Sequence, residues 1–167
     1  MTKMNRRTMI AATAAAATMP FAPKMARAAE TIVVEMLNKD PNNSRNRYVF
    51  SPRLISVQPG DTVVFKSVDR GHNSASIDGM LPDGVEEWSS KINDDFEMTF
   101  ETPGFYGYAC TPHSTVGMVG LVVVEGEGKL DNLEAAQKVR HRGKSKKAWE
   151  EIWEEAEAAG MLEATTA

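Results

Sequence analysis

The sequence predicts a β-sandwich or β-barrel followed by two α-helices, all in a single domain. Two observations favour this fold: short β-rich runs separated by proline and glycine fill residues 31–125, and helix-forming residues at helical spacing follow residue 128. The composition agrees, because 42% hydrophobic and 25% charged residues in a chain of 167 suit a globular protein with a modest core. A single cysteine excludes a disulfide scaffold, and the hydrophobic content excludes a disordered chain.

Six runs in the first region are predicted to be strands. Turn signals separate them, of which Pro59-Gly60-Asp61 and Thr102-Pro103-Gly104 are the clearest. Proline presets φ for the first turn position and glycine tolerates the left-handed region, so both triplets are suited to reverse the chain. Many short strands joined by such turns are typical of a sandwich or barrel. The predicted strands are residues 31–37, 54–58, 62–68, 97–101, 105–109 and 118–124.

Two helices are predicted after the glycine-rich segment 126–128. The first covers residues 130–139, where good helix formers recur at helical spacing. The second starts with Ser145 as its N-cap and ends before Gly160, an expected C′ residue. Its apolar face is expected to pack on the β-rich region rather than to bind a partner, because two tryptophans together bury a large area. This face consists of Trp149, Ile152, Trp153 and Ala156.

Residues 1–28 are predicted to be a cleaved export signal. Arg6-Arg7 precede an alanine-rich apolar stretch, and Ala26-Arg27-Ala28 offers small residues at the two positions that a signal peptidase reads. The paired arginines favour twin-arginine export over a plain secretory signal. No membrane span is expected, because the apolar run is about half of the roughly 20 residues needed to cross a bilayer. Export places the lone Cys110 in an oxidising compartment, where it must be buried, ligated or paired with another molecule.

The charge balance excludes nucleic acid as a partner. From Ala29 onward, 14 lysine and arginine residues stand against 23 acidic residues, which gives a formal net charge of −9. Proteins that bind nucleic acid carry a basic patch to neutralise phosphates. Residues 29–167 instead carry a net negative charge, so we expect no nucleic-acid partner.

Four residues have the side chains and the spacing expected of a copper site. Cys110, His113 and Met118 lie at spacings of three and five in one loop between two predicted strands, and His72 lies 38 residues before the cysteine at the edge of another strand. One thiolate, two imidazoles and one thioether make up the ligand set of a blue-copper electron-transfer site with a weak axial methionine. We therefore expect these residues to hold one copper ion that alternates between Cu(I) and Cu(II).

Other chemistries explain the four residues less completely. A structural zinc site usually takes four Cys or His ligands, and methionine is a poor ligand for zinc. A cysteine hydrolase would pair Cys110 with a histidine and use Asn73 to orient it, which leaves Met118 without a role. A copper-dependent redox enzyme would need an open coordination position or a second metal. A copper storage protein would need Met-rich tracts, whereas the methionines here are scattered.

Two neighbours of the ligands are expected to tune the site. Asn73 follows the first histidine, and its amide is suited to tie the two ligand-bearing segments together while its backbone N–H donates to the Cys110 sulfur. Pro112 has no N–H, so it cannot supply a second donor to that sulfur. Without a second hydrogen bond the thiolate is less stabilised, so we expect a lower reduction potential of the bound copper.

At these residues the sequence resembles the pseudoazurins, type 1 copper carriers of the cupredoxin family. The resemblance covers nearly all of the chain after the leader, including both C-terminal helices. Plastocyanins share the Cys-His-Met spacing but lack those helices, whereas amicyanins and azurins differ in the length of the ligand loop. The matching segments are Val34-Glu35-Met36-Leu37-Asn38-Lys39, Gln58-Pro59-Gly60-Asp61-Thr62-Val63, Val68-Asp69-Arg70-Gly71-His72-Asn73, Ser90-Lys91-Ile92-Asn93 and Cys110-Thr111-Pro112-His113.

The resemblance implies an eight-stranded, all-β Greek-key sandwich over residues 29–126, with a helical extension over 127–167 packed on it. It also implies an electron carrier rather than an enzyme, a monomer that works in the periplasm with His72, Cys110, His113 and Met118 as copper ligands. The implied partners are redox proteins such as nitrite reductase, nitrous oxide reductase or a cytochrome c.

In the family, electrons pass through the exposed edge of the second histidine, here His113, within an apolar patch ringed by lysines. The matching docking candidates are Lys39, Arg70, Met80, Pro112 and Val116, with Met36 and Leu81 as further patch residues. The basic ring is only partly retained, because Ala109, Glu86 and Glu87 stand where the family is more basic. Polar residues are also inserted at 42–47, and residues 29–126 carry 7 basic against 14 acidic side chains.

Overall fold

The computed structural model describes residues 27–165, so the predicted export signal lies outside the described residues except for Arg27 and Ala28. Eight strands precede two helices in this part of the chain. They are β1 Thr31–Lys39, β2 Arg47–Ser51, β3 Leu54–Val57, β4 Asp61–Ser67, β5 Ala75–Ser76, β6 Phe96–Phe100, β7 Gly104–Ala109, β8 Val119–Val124, α1 Leu133–Lys138 and α2 Ser145–Ala158. A 3-10 helix, Thr111–Val116, separates β7 from β8.

The strands form two four-stranded sheets in the orders β2-β1-β4-β6 and β3-β8-β7-β5. Within each sheet one pair is parallel, β1 with β4 and β3 with β8, and the other pairs are antiparallel. Aromatic and aliphatic side chains of both sheets share one core, which includes Val34, Phe65, Tyr108 and Val122. The predicted all-β sandwich is therefore confirmed.

Strand β8 shows why the helices belong to the same domain. All six of its residues are buried, which requires cover on both faces of the sheet. Val122 and Val124 point into the core between the sheets, whereas Leu121 and Val123 contact the helices on the opposite face. The second sheet therefore lies between the first sheet and the helical extension.

Helix α2 covers the second sheet with its tryptophan face. Trp149, Ile152 and Ala156 are buried there, and the ring of Trp153 lies 6.0 Å from that of Phe105. The stripe thus packs on the β-sandwich, as expected. Gly160 follows the C-cap residue Ala159 and has a φ of 70°, which suits its predicted C′ position.

The predicted N-cap of α2 is wrong by one position. Lys144 occupies the cap, and Ser145 is the first helical residue. The hydroxyl of Ser145 donates instead to the backbone carbonyl of Ser114, so it attaches α2 to the 3-10 helix.

Helix α1 is shorter than the predicted 130–139. Its preceding residue, Asn132, pairs with the backbone of Phe105 in β7: the side-chain amide donates to the carbonyl at 2.8 Å, and its oxygen accepts from the N–H at 3.0 Å. This pairing fixes where the chain turns into the helix. Neither helix in residues 27–165 is long and apolar enough to cross a bilayer.

Asp61 gives the fold a predictable response to acid. Its buried carboxylate accepts hydrogen bonds from the Arg27 guanidinium at 2.7 Å and from the N–H groups of Glu30 and Gln58, both at 2.8 Å. Against the effect of burial, these bonds lower the pKa of Asp61 from 3.8 to about 2. The ionised carboxylate therefore stabilises the fold above about pH 4, and this contribution is lost as the pH falls toward 2.

We expect Asp61→Asn to flatten the dependence of stability on pH between about 4 and 2, measured as the urea midpoint at each pH. A chain that starts at Ala29 lacks Arg27 and keeps only the backbone donors. Its Asp61 pKa should then be higher, and its stability should begin to fall at a higher pH. Identical pH profiles for the two chain lengths would show that Arg27 does not hold this carboxylate.

Candidate metal centre

The loop between β7 and β8 brings Cys110, His113 and Met118 to one end of the sandwich. Backbone hydrogen bonds close it: Cys110 N–H donates to the Met118 carbonyl at 3.0 Å, Met118 N–H to the His113 carbonyl at 3.2 Å, and His113 N–H to the Cys110 carbonyl at 3.0 Å. Pro112 lies in the first turn of the 3-10 helix, where its fixed φ suits the turn. Gly117 ends the turn with a φ of 104°, a conformation that favours glycine.

Three donor atoms converge at this end. The Cys110 Sγ lies 3.7 Å from the Nδ1 of His72 and 3.4 Å from the Nδ1 of His113, and the three donors lie within 4.8 Å of one another. Imidazole and thiolate bond a metal such as zinc at about 2.0–2.3 Å, so three ligands spread trigonally around one ion stand about 3.5–4.0 Å apart. The observed separations therefore fit a trigonal site for one metal ion.

Met118, the predicted fourth donor, lies on the same loop. It is fully buried and belongs to the same core cluster as Cys110. A cysteine, two histidines and a nearby methionine are the donors that suit a blue-copper centre, whereas zinc makes little use of a thioether.

His72 is held in one orientation by a residue that the sequence did not single out as part of the site. Its Nε2 lies 3.2 Å from the side-chain oxygen of Asn38 in β1. This acceptor places the proton on Nε2, which leaves Nδ1 with a lone pair toward Cys110. Asn38 lies 34 residues before His72, and the two meet because β1 pairs in parallel with β4.

Asn73 joins the two segments that carry the donors. Its side-chain oxygen accepts from the Thr111 N–H at 2.8 Å, and its amide donates to the Thr111 hydroxyl and the Ser90 carbonyl, both at 3.1 Å. Ser90 is part of the segment 90–93 that carries the family resemblance. These bonds fix the separation of His72 and Cys110 within the protein scaffold.

Burial favours the neutral forms of the two imidazoles and of the thiol when no metal is bound. Burial lowers the pKa of His72 and of His113, and this favours the unprotonated rings that bind metals. Burial raises the pKa of the Cys110 thiol, and the backbone N–H groups of Asn73 and His113 near the sulfur only partly oppose this. Pro112 has no N–H to donate to the sulfur.

Tyr48 is a second residue that sequence reasoning missed. Its ring stacks on His113 with the centroids 4.2 Å apart and the planes 4° apart. Tyr48 also has a φ of 58°, which is uncommon for an aromatic residue. The contacts around Tyr48 therefore hold its backbone in this conformation. The only sequence signal was an aromatic residue directly after the polar insertion.

The structure separates the docking candidates into exposed and buried residues. Lys39, Arg70, Pro112 and Val116 are exposed, Val116 by 42%. Met80 is wrong as a docking residue because it is fully buried and fills the space above Gly107, where a Cβ atom would lie 2.6 Å from the Met80 sulfur. Met36 is wrong for the same reason, since its position in β1 points into the core, and Leu81 is only half-exposed.

His141, between the two helices, stacks on Trp149 with the ring centroids 5.0 Å apart. It is half-buried and lies outside the cluster of three donors.

Comparison with known proteins decides the family. Residues 34–125 match the model of copper-binding proteins of the plastocyanin/azurin family. The chain is 41% identical to the pseudoazurin of Methylorubrum extorquens over 128 residues, which cover 77% of this chain and 83% of the relative. The chain belongs to the pseudoazurin family of copper-binding proteins.

Solved structures agree with this assignment. The pseudoazurin from Sinorhizobium meliloti superposes with a TM-score of 0.72 and 44% identity, covering 78% of this chain and 99% of that one. The pseudoazurin from Methylobacterium extorquens AM1 gives a TM-score of 0.69 and 38% identity over 75% and 98% of the two chains. The chain is therefore a blue copper electron-transfer protein with copper as its cofactor.

Proposed function

We propose that His72, Cys110, His113 and Met118 hold a single copper ion, and that the chain carries single electrons in the periplasm to a nitrite or nitrous oxide reductase. One observation supports the site above all others: two imidazole Nδ1 atoms and one sulfur, from segments 38 residues apart, converge at separations of 3.4 and 3.7 Å. Met118, on the same loop, would hold the ion with a weakly binding thioether.

Copper, when bound, supplies a one-electron couple between Cu(I) and Cu(II). The chain's part is to keep its donors in place in both oxidation states. Asn38 orients His72, Asn73 fastens the two segments, and the closed backbone of residues 110–118 fixes the other donors. Groups held this firmly move little when the charge at the site changes, and fast transfer needs such a site.

His113 is the proposed exit for the electron. Among the three clustered donors it is the one that is partly exposed, whereas His72 and Cys110 are fully buried. Exposed Pro112 and Val116 lie on the same loop and offer a small apolar contact that suits a short-lived complex.

The proposed location and partner are supported by the leader sequence and by the family. A twin-arginine pattern in residues 1–28 favours export, and the resemblance to periplasmic carriers favours a denitrification reductase as acceptor. A cytochrome c is the alternative partner.

The experiment that tests the site is the absorption spectrum and copper content of the purified, oxidised protein. We expect one copper per chain and an intense visible band from the thiolate donor. Protein that stays colourless with ferricyanide and binds no stoichiometric metal would contradict the proposal.

Replacing Met118 should lower the reduction potential of the copper-loaded protein. In Met118→Gln an amide oxygen takes the place of a soft thioether and favours Cu(II), so copper is retained while the potential measured by voltammetry falls. The matched control is Met98→Gln in β6, on the sheet that does not carry the ligand loop. An equal potential in Met118→Gln and the unaltered protein would remove Met118 from the copper ligands.

A further inference from the structure

A groove of about 580 Å³ runs beside the ligand loop between β2 and the start of α2. Five basic residues lie along it: Arg45, Arg47, Arg53, Lys144 and Lys147. Two of these belong to the polar insertion at 42–47, and Val116 of the ligand loop forms part of the wall.

Most of this positive charge is not used within the protein. Arg53 pairs with Glu151 and Glu155, and Lys147 lies 3.6 Å from Glu151. Among the ion pairs of residues 27–165, none involves Arg45, Arg47 or Lys144, and all three side chains are exposed. Their charge is therefore available to a partner.

Two acidic residues at or beside the groove form hydrogen bonds or ion pairs within the protein. Asp40 accepts hydrogen bonds from the N–H groups of Asn42 and Asn43 and from the Asn46 amide, which shapes the inserted turn. Glu151 lines the groove itself but is held by Arg53. The positive field of the groove is thus only partly cancelled.

The groove is connected to the proposed electron exit. The Arg47 guanidinium carbon lies 5.8 Å from the centroid of the Tyr48 ring, and the same ring stacks on His113 with the centroids 4.2 Å apart. A partner seated on the groove would therefore lie beside the histidine edge.

Three acidic side chains lie around a cavity at the other end of the molecule. This cavity lies by the turn between β6 and β7, the end of β7 away from Cys110, and is lined by Asp83, Glu127 and Asp131. A local group of unpaired basic residues beside the exit attracts the acidic face of a partner to that side of the molecule, even though the net charge of the chain is negative.

We propose that this groove, built by the inserted segment and the start of α2, is the docking surface for the acidic face of a redox partner protein. The groove replaces the partly lost lysine ring as the basic contact surface. The partner would bind on the side of His113 that faces α2. The proposal rests on the proposed function, since it specifies where the acceptor of that electron binds.

The test measures electron transfer from the reduced, copper-loaded protein to one haem protein in two charge forms. Native cytochrome c is basic, and succinylation of its lysines makes the same protein acidic. The variant combines Arg45→Glu with Lys144→Glu, leaving Arg47 intact because it contacts Tyr48. The control combines Lys66→Glu on β4 with Lys138→Glu on α1, which gives the same net charge away from the groove.

At low ionic strength we expect the groove variant to react about 10-fold more slowly with succinylated cytochrome c, and the control to change less than about two-fold. Added salt should erase the difference between the groove variant and the unaltered protein. With native cytochrome c the groove variant should not be slower. The neutral double variant Arg45→Gln and Lys144→Gln should lower the logarithm of the rate by about half as much as the charge-reversed variant. It keeps the test valid if the charge-reversed variant misfolds.

Equal slowing in the groove variant and the control would overturn the proposal, because net charge alone would then explain the rates. So would an unchanged rate in the groove variant. The absorption spectrum and the oxidation rate by ferricyanide of the unaltered protein test the proposed function separately: if these show a working copper site, a failed docking result refutes the groove alone.

Discussion

The Cys110→Ser variant is expected to lose the intense visible absorption of the oxidised protein completely. The band arises from charge transfer between a thiolate and copper, and a serine hydroxyl is neither soft nor ionised at neutral pH. The backbone bonds of the ligand loop do not involve the Cys110 side chain, so the two histidines should keep their positions. Absorption spectroscopy with a parallel copper assay measures the loss.

Two further variants make this result interpretable. Cys110→Ala removes the sulfur without burying a hydroxyl in the core, so it separates loss of the ligand from loss of stability. Thr115→Ser changes an exposed side chain of the same 3-10 helix and should keep full colour. Colour that survives in both Cys110 variants would show that another residue provides the strong donor.

The sequence predicted the parts of the fold whose signals are local. All six predicted strands exist, with ends shifted by one or two residues, because proline and glycine turns mark their limits. Strands β2 and β5 were missed. Strand β2 begins directly at the inserted polar segment, and β5 has only two residues, which form a strand solely because they pair with Tyr108 and Ala109.

The candidate site shows the same division between local and distant signals. Three of the four proposed ligands share one loop, so their spacing alone identified them, and His72 was recognised by its chemistry. Asn38 and Tyr48 escaped notice because their contacts depend on strand pairing and on the path of the insertion. Met80 was misplaced because residue type does not reveal which methionine faces the core.

A methyl group at Gly120 is expected to have the largest effect on stability. Gly120 pairs with Tyr108 across β7 and β8, and the Tyr108 ring lies directly over it. An alanine Cβ would collide with the far end of that ring and would lie 2.8 Å from the Arg53 carbonyl. The ring cannot move away, because Tyr108 is fully buried. Its centroid lies 4.8 Å from that of the Phe50 ring and 4.9 Å from that of the Phe65 ring.

We therefore expect Gly120→Ala to cost about 3 kcal/mol, near the upper end for overpacked cores, and to lower Tm by roughly 10 °C. Gly60→Ala is the control, since no atom lies within 4 Å of its added Cβ, and only its φ of 92° opposes the change. Tyr108→Leu shortens the colliding side chain, so a double-mutant cycle should show about 1–2 kcal/mol of favourable coupling with Gly120→Ala. Additive effects, or a cost no larger than that of Gly60→Ala, would mean that β8 shifts to accept the methyl group and that its packing against Tyr108 is not rigid.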